Sequence, residues 1–227
     1  MSPHVRFGGR QTTRGFRFEL TGGRLELDFA NTRDERETDH PRELLPAYSD
    51  LLNWGVQAGA LARADAVVLR AHAARHAGAA SSALKRARMV REAIFSLFSA
   101  MAAGRAAPAS ALAVLNRAIR RAAGRRSLER RAGRFVWTWR PAGAADLDAV
   151  LRPVVWSAAE LLASCDLGRV RRCEGTGCAW LFLDQSRSGT RCWCDMSVCG
   201  NRAKARRFYT KARTTLSAGP SGAILTR

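Results

Sequence analysis

A chain of 227 residues that is 47% hydrophobic has the material for one large domain or a domain with a small module, which excludes wholesale disorder. No run of about 18 apolar residues occurs and the N-terminus lacks the apolar stretch of a secretory signal, so a helical membrane span is excluded and a cytoplasmic protein with reduced thiols is expected. The net charge of +19 points to a polyanionic partner, nucleic acid ahead of a membrane surface.

Residues 1–15 are rich in Gly and Arg and are expected to be mobile. Phe16, Phe18 and Leu20 then alternate, as do Leu25, Leu27 and Phe29. This two-residue period predicts a hairpin turning at Thr21-Gly22-Gly23. Asp28, Asn31 and Thr32 fall at the end of its second strand, where they either line a ligand pocket or cap the strand end and turn. After a charged loop to Pro46 the pattern becomes helical, with Tyr48, Leu51, Leu52 and Val56 on one side. Residues 62–77 read as an Ala-rich helix stopped by Gly78. Ser82 is placed to cap the next helix, whose stripe of Val90, Ile94, Leu97, Phe98 and Met101 marks a core face and which ends at Gly104.

Pro108 opens a further helix that buries Leu112, Leu115, Ile119 and Ala122 and turns Arg117, Arg120 and Arg121 outward. A second hairpin is predicted at Ala132-Gly133, with Phe135, Trp137 and Trp139 on one face. A helix from Ala144 to Ser164 follows, kinked or split by Pro153. The tryptophans at 137, 139, 156 and 180 fit core positions, although one could stack on a base. Residues 214–227 lack periodicity and are expected to be disordered.

Between these segments lies the stretch Arg169–Arg213. Cys173-x4-Cys178 and Cys194-x4-Cys199 are two short loops of equal length that bring thiolates together in pairs. Four soft ligands in this arrangement suit tetrahedral zinc, with an iron–sulfur cluster as the rarer use of the same donors. Cys192 competes for a place in the set, and Cys165 reads as a buried thiol near a helix end. Trp180 and Phe182 alternate with Leu181 and Leu183, which predicts a strand between the knuckles. A module this small needs its metal to fold, so chelation is expected to melt residues 170–213 while the preceding helices persist.

The residues after Cys199 fit a helix capped by Ser197. Ala205, Phe208, Tyr209 and Ala212 share one arc and are expected to pack. Asn201, Arg202, Lys204, Arg206, Arg207 and Lys211 lie on the cationic remainder and are expected to contact nucleic acid, through phosphates above all. This end is not the only basic region. Residues 171–213 carry 10 basic residues against 3 acids, but residues 61–140 carry 17 against 3. The one pair of histidines at helical spacing, His72 and His76, lacks the glutamate of a metalloprotease site. Neither a Ser-His-Asp set nor a carboxylate pair can be assembled, so the protein is read as a non-enzyme.

The segment from Trp180 to Arg207, with both knuckles and the Cys199-Gly200-Asn201-Arg202 string, resembles the CGNR zinc-finger family. In that family position 192 is usually arginine, which supports leaving Cys192 outside the ligand set. The LELDFANT and LLNWGVQAGAL segments are similar to the ABATE domain that typically precedes this finger, and the resemblance implies a bacterial transcription regulator. The reading is then an α+β chain: a mainly helical ABATE-like domain with two short β-hairpins at 16–167, and a small ββα-like zinc-knuckle module at 168–213. Zn2+ is the expected cofactor and nucleic acid the expected partner, DNA ahead of RNA. A homodimer and a small-molecule effector are compatible with it, as is an interaction module whose zinc is purely structural.

Overall fold

The computed structural model describes residues 8–217 except 14 and 142, and only the backbone of 211–217. The central element is helix α4, Ala77–Ala102, whose 26 residues span roughly 39 Å. Its stripe of Val90, Ile94, Leu97 and Phe98 is buried as the spacing requires. Gly104, at φ +64°, ends it in a left-handed cap: its N–H donates to the Met101 carbonyl, and the Arg105 N–H donates to that of Ala100. Helices α1 (Leu25–Ala30), α2 (Tyr48–Gln57), α3 (Arg63–Arg75), α5 (Ala109–Ala123) and α6 (Leu151–Leu162) pack about it. Among the described residues there are four antiparallel two-stranded ribbons: β1–β2 (Gly9–Thr12 with Gly15–Phe18), β3–β4 (Arg33–Asp34 with Arg42–Glu43), β5–β6 (Arg126–Arg131 with Arg134–Trp139) and β7–β8 (Val170–Arg172 with Leu181–Leu183). The C-terminal helix α7 runs from Asn201 to Ser217.

Several expectations are corrected. The segment from Leu25 to Ala30 is a helix, not a strand, and the hairpin lies earlier, pairing Gly9–Thr12 with Gly15–Phe18. A six-residue segment is too short for its period to decide between strand and helix, and here Glu26, Leu27, Phe29 and Ala30 are all buried because α1 is enclosed by α4, α6 and β8. The second hairpin stands as expected, turning on Ala132 (φ 46°) and Gly133 (φ 79°). Its Phe135 and Trp137, however, are 70% and 61% exposed. Trp139 packs edge-on against Trp156, and the Arg126 guanidinium lies over Trp156 at 4.2 Å.

Gly78 does not stop α3, since its backbone is not left-handed. The break falls at His76 (φ −132°, ψ 59°), which lets α3 turn back and bury Leu69, and α4 starts five residues before Ser82. Pro153 does not kink a long helix. It sits in the first turn of α6, where its missing N–H has no partner to lose. Leu112 is 41% exposed rather than buried, and Cys165 is exposed. The helix expected to end near Arg213 continues to Ser217, whereas residues 1–7 and 218–227 lie outside the described residues.

A buried ion network fastens the loop between β3 and β4 to α4. Arg91, 2% exposed, donates to both carboxylate oxygens of Glu43 at 2.6 and 2.7 Å and to Glu92 at 2.9 Å. Arg36 donates to Glu92 at 2.6 Å and lies 3.9 Å over the Phe95 ring. Each buried charge here has an opposite partner, which is the condition for tolerating it.

Candidate metal centre and nucleic-acid interface

The cysteine module is built on one three-residue strand. In β8, Leu181 and Leu183 join the helical core, while Trp180, just before it, and Phe182 enclose the cysteines. The alternation expected from the sequence thus separates two cores that share a backbone. One edge of β8 pairs with β7. The other is closed by the flanks of α1: the Leu183 N–H donates to the Gly22 carbonyl at 2.8 Å, and Asn31 bonds both polar groups of Leu181.

The first knuckle leaves β7 at Cys173 and returns at Cys178. Gly175 is its closest approach, because a Cβ there would lie 2.9 Å from the Cys199 sulfur and 3.3 Å from that of Cys173. Its N–H points at the Cys173 sulfur at 3.4 Å. The second knuckle is a single wide turn, Met196–Gly200. Asp195, not Ser197, caps it, accepting from the N–H groups of Ser197 and Val198 at 2.6 and 3.1 Å.

The sulfurs of Cys173, Cys178, Cys194 and Cys199 all lie within 4.8 Å of one another and are buried, and all six cysteines are free thiols. Cys178 and Cys194 are 3.7 Å apart and Cys194 and Cys199 3.8 Å. Sulfurs at about 2.3 Å from a central ion form a tetrahedron with edges of about 3.8 Å. The donor set therefore fits a tetrahedral thiolate-bound metal. Hydrogen bonds from Cys178, Cys194 and Cys199 push the Cys173 thiol down, whereas the bond to Cys173 leads in pushing Cys178 and Cys194 up. A thiol must lose its proton to ligate, so metal binding at this cluster releases protons. Cys192 is turned away, donating to the Thr190 carbonyl at 3.4 Å.

Supports that the sequence reading passed over surround the cluster. Asp184 accepts from the Ser186 and Arg191 N–H groups at 2.9 and 3.0 Å and so shapes the loop into the second knuckle. The Arg191 guanidinium lies 4.5 Å over Phe182 and donates to the carbonyls of Trp193 and Cys194. The Asp-x-Ser turn was the available signal for the first of these.

Helix α7 leaves this cluster directly. Asn201, Arg202, Lys204, Arg206 and Arg207 are exposed, as expected; Lys211 is in the helix, with its side chain outside the described residues. The expected packing arc is corrected: Phe208 is 71% and Tyr209 68% exposed, and their rings contact each other edge-on. The suggested pocket residues are engaged in structure. Asp28 accepts from the Gly22 N–H at 2.8 Å, Thr32 donates to the Phe29 carbonyl, and Asn31 holds Leu181. His72 and His76 stack with centroids 4.2 Å apart on the exposed side of α3. Among the described residues no helix is long and apolar enough to cross a membrane.

No curated protein matches the chain. Residues 169–212 match the CGNR zinc finger, which covers both knuckles and most of α7. Residues 23–164, more than half of the chain, match ABATE, described as "Putative stress-induced transcription regulator". The cysteine cluster and the helical body it is mounted on thus have the two-part organisation expected from the sequence, and the chain belongs to the ABATE family, with a CGNR zinc finger at its C-terminal side.

Proposed function

We propose that this protein is a zinc-containing regulator that binds nucleic acid, duplex DNA first, through the exposed cationic surface of α7. The carrying observation is the placement of that helix. It is anchored at its first turn to the four-cysteine cluster, holds no acid from Met196 to Ser217, and exposes Arg202, Lys204, Arg206 and Arg207. Zinc would be held by Cys173, Cys178, Cys194 and Cys199 and would supply a rigid, redox-inert cross-link at the root of the helix. Four thiolates in mutual contact leave no open coordination position, so the reading is of a binding protein and not an enzyme. A helix of 17 residues is roughly 26 Å long, and the major groove, about 12 Å wide, admits it.

Single-stranded RNA is the second reading, and the exposed Phe208 and Tyr209 favour it, because aromatic rings on a basic surface suit unstacked bases. Fluorescence anisotropy with labelled duplex DNA and single-stranded RNA across a salt series tests both. Duplex binding should weaken steeply with salt, and Arg206→Ala with Arg207→Ala should lower the log–log slope by about 2. Phe208→Ala with Tyr209→Ala should weaken RNA binding far more than duplex binding, with stability unchanged to within about 0.5 kcal/mol. Absence of binding to either polymer at low salt would overturn the proposal.

A further inference from the structure

We propose that the cleft between α4, α5 and α6 is a binding site for an organic acid, a carboxylate carried on a compact apolar body. Its volume is about 320 Å³, at the small end of the range for small-molecule sites, and no wall of it comes from the cysteine module. Helix α5 presents two parallel rows to it. Val114, Ala118 and Ala122 repeat every four residues and form an apolar floor with residues of α4 and α6. Arg117, Arg121 and Arg125, the last just past the helix end, repeat at the same interval along the rim.

The rim has more cations than its acids can match. Asp148 is engaged by Arg86 at 3.0 to 3.2 Å, and Asp146 meets the buried Arg152. No ion pair among the described residues reaches Arg117, Arg121 or Arg125, and like charges four apart on a helix repel. Burial and the neighbouring Arg125 hold the Arg152 proton affinity down, which reports the same positive field from inside the cleft. A ligand carboxylate at the rim would relieve that repulsion through paired arginine bonds, while the recessed floor takes up an apolar tail. A bare phosphate has no use for that floor, and a neutral lipid has none for the arginines.

Isothermal titration calorimetry on the intact, metal-loaded chain with octanoate, octanol and inorganic phosphate tests the site. Octanoate should bind at least tenfold more tightly than either of the others. Arg117→Ala with Arg121→Ala should weaken it at least tenfold. Ala118→Phe, which fills the cleft without changing charge, should do the same, and it decides the matter if the arginine variant fails to fold by circular dichroism. Octanol or phosphate binding as well as octanoate, affinity unchanged by Ala118→Phe, or no octanoate binding at millimolar concentration would each overturn the proposal.

Discussion

Asn31 and Leu181 are 150 residues apart in sequence and exchange two hydrogen bonds: the Asn31 amide donates to the Leu181 carbonyl at 2.9 Å and accepts from its N–H at 2.8 Å. Both residues are buried, so one side chain satisfies both backbone groups of Leu181 on the free edge of the strand that carries the cysteine module. Replacing Asn31 with Ala leaves two backbone groups unpaired and should cost about 3 kcal/mol, at 1–3 kcal/mol for each unsatisfied group. Asn31→Asp should be nearly as harmful, because a carboxylate accepts from the N–H but cannot donate to the carbonyl. Urea unfolding of the two variants checks this; a loss below about 1 kcal/mol in both would show that the clasp is dispensable.

Chelation should weaken more than the finger. The expectation drawn from the sequence, that the helices outlast the module, treats the two as separate, yet Leu181 and Leu183 belong to the helical core. Metal removal should therefore lower the midpoint of a single transition, with far-ultraviolet ellipticity and tryptophan fluorescence falling together. Two resolved transitions in the metal-free chain would favour independent folding.

Metal content should depend on four cysteines and not on the other two. Cys178→Ser or Cys199→Ser should lose the ion on gel filtration, as measured by atomic emission. Cys192→Ser and Cys165→Ser should retain it at the wild-type ratio, since Cys192 faces the Thr190 carbonyl and Cys165 is exposed.

Stability should decline between pH 4 and 7 in part through Asp28. Burial raises its carboxyl to about 7 against the pull of the Gly22 N–H, and the nearby Glu26 charge adds to the rise. A carboxyl with a raised pKa holds its proton more tightly when folded, so its contribution is complete below about pH 4 and is lost as pH rises through 7. Asp28→Asn keeps an acceptor for Gly22 and removes that loss. It should gain roughly 1–2 kcal/mol at pH 8 and little at pH 4, discounting the full shift for partial exposure. Equal urea midpoints for variant and wild type at pH 8 would count against burial as the cause.

The four cysteines were legible because ligand spacing is a local property, and the β8 alternation because both faces of the strand are buried. Segments whose state depends on distant neighbours were not. Leu25 to Ala30 carries a strand-like period, but the space between α4 and α6 selects a helix there. Pro153 predicts a kink or split in a long helix, whereas it stands in the first turn of a shorter one that begins after the fully buried Val150. Ser197 and Asp195 are both competent caps, and only the wide turn of the knuckle decides between them. The arc of Phe208 and Tyr209 predicted a packed face, and no segment of the described chain covers it. Asn31 lies at an expected strand end, and its partner lies beyond five helices, a contact that no local pattern encodes.

The two-sided strand also sets what can be cut. Excised at the boundary between its two family matches, the finger would carry Leu181 and Leu183 into water, and the helical body would keep an open slot beside Gly22 and Asn31. A tidy border in sequence runs through the middle of one hydrophobic interior, and grafting either piece onto another protein would require rebuilding the half left behind.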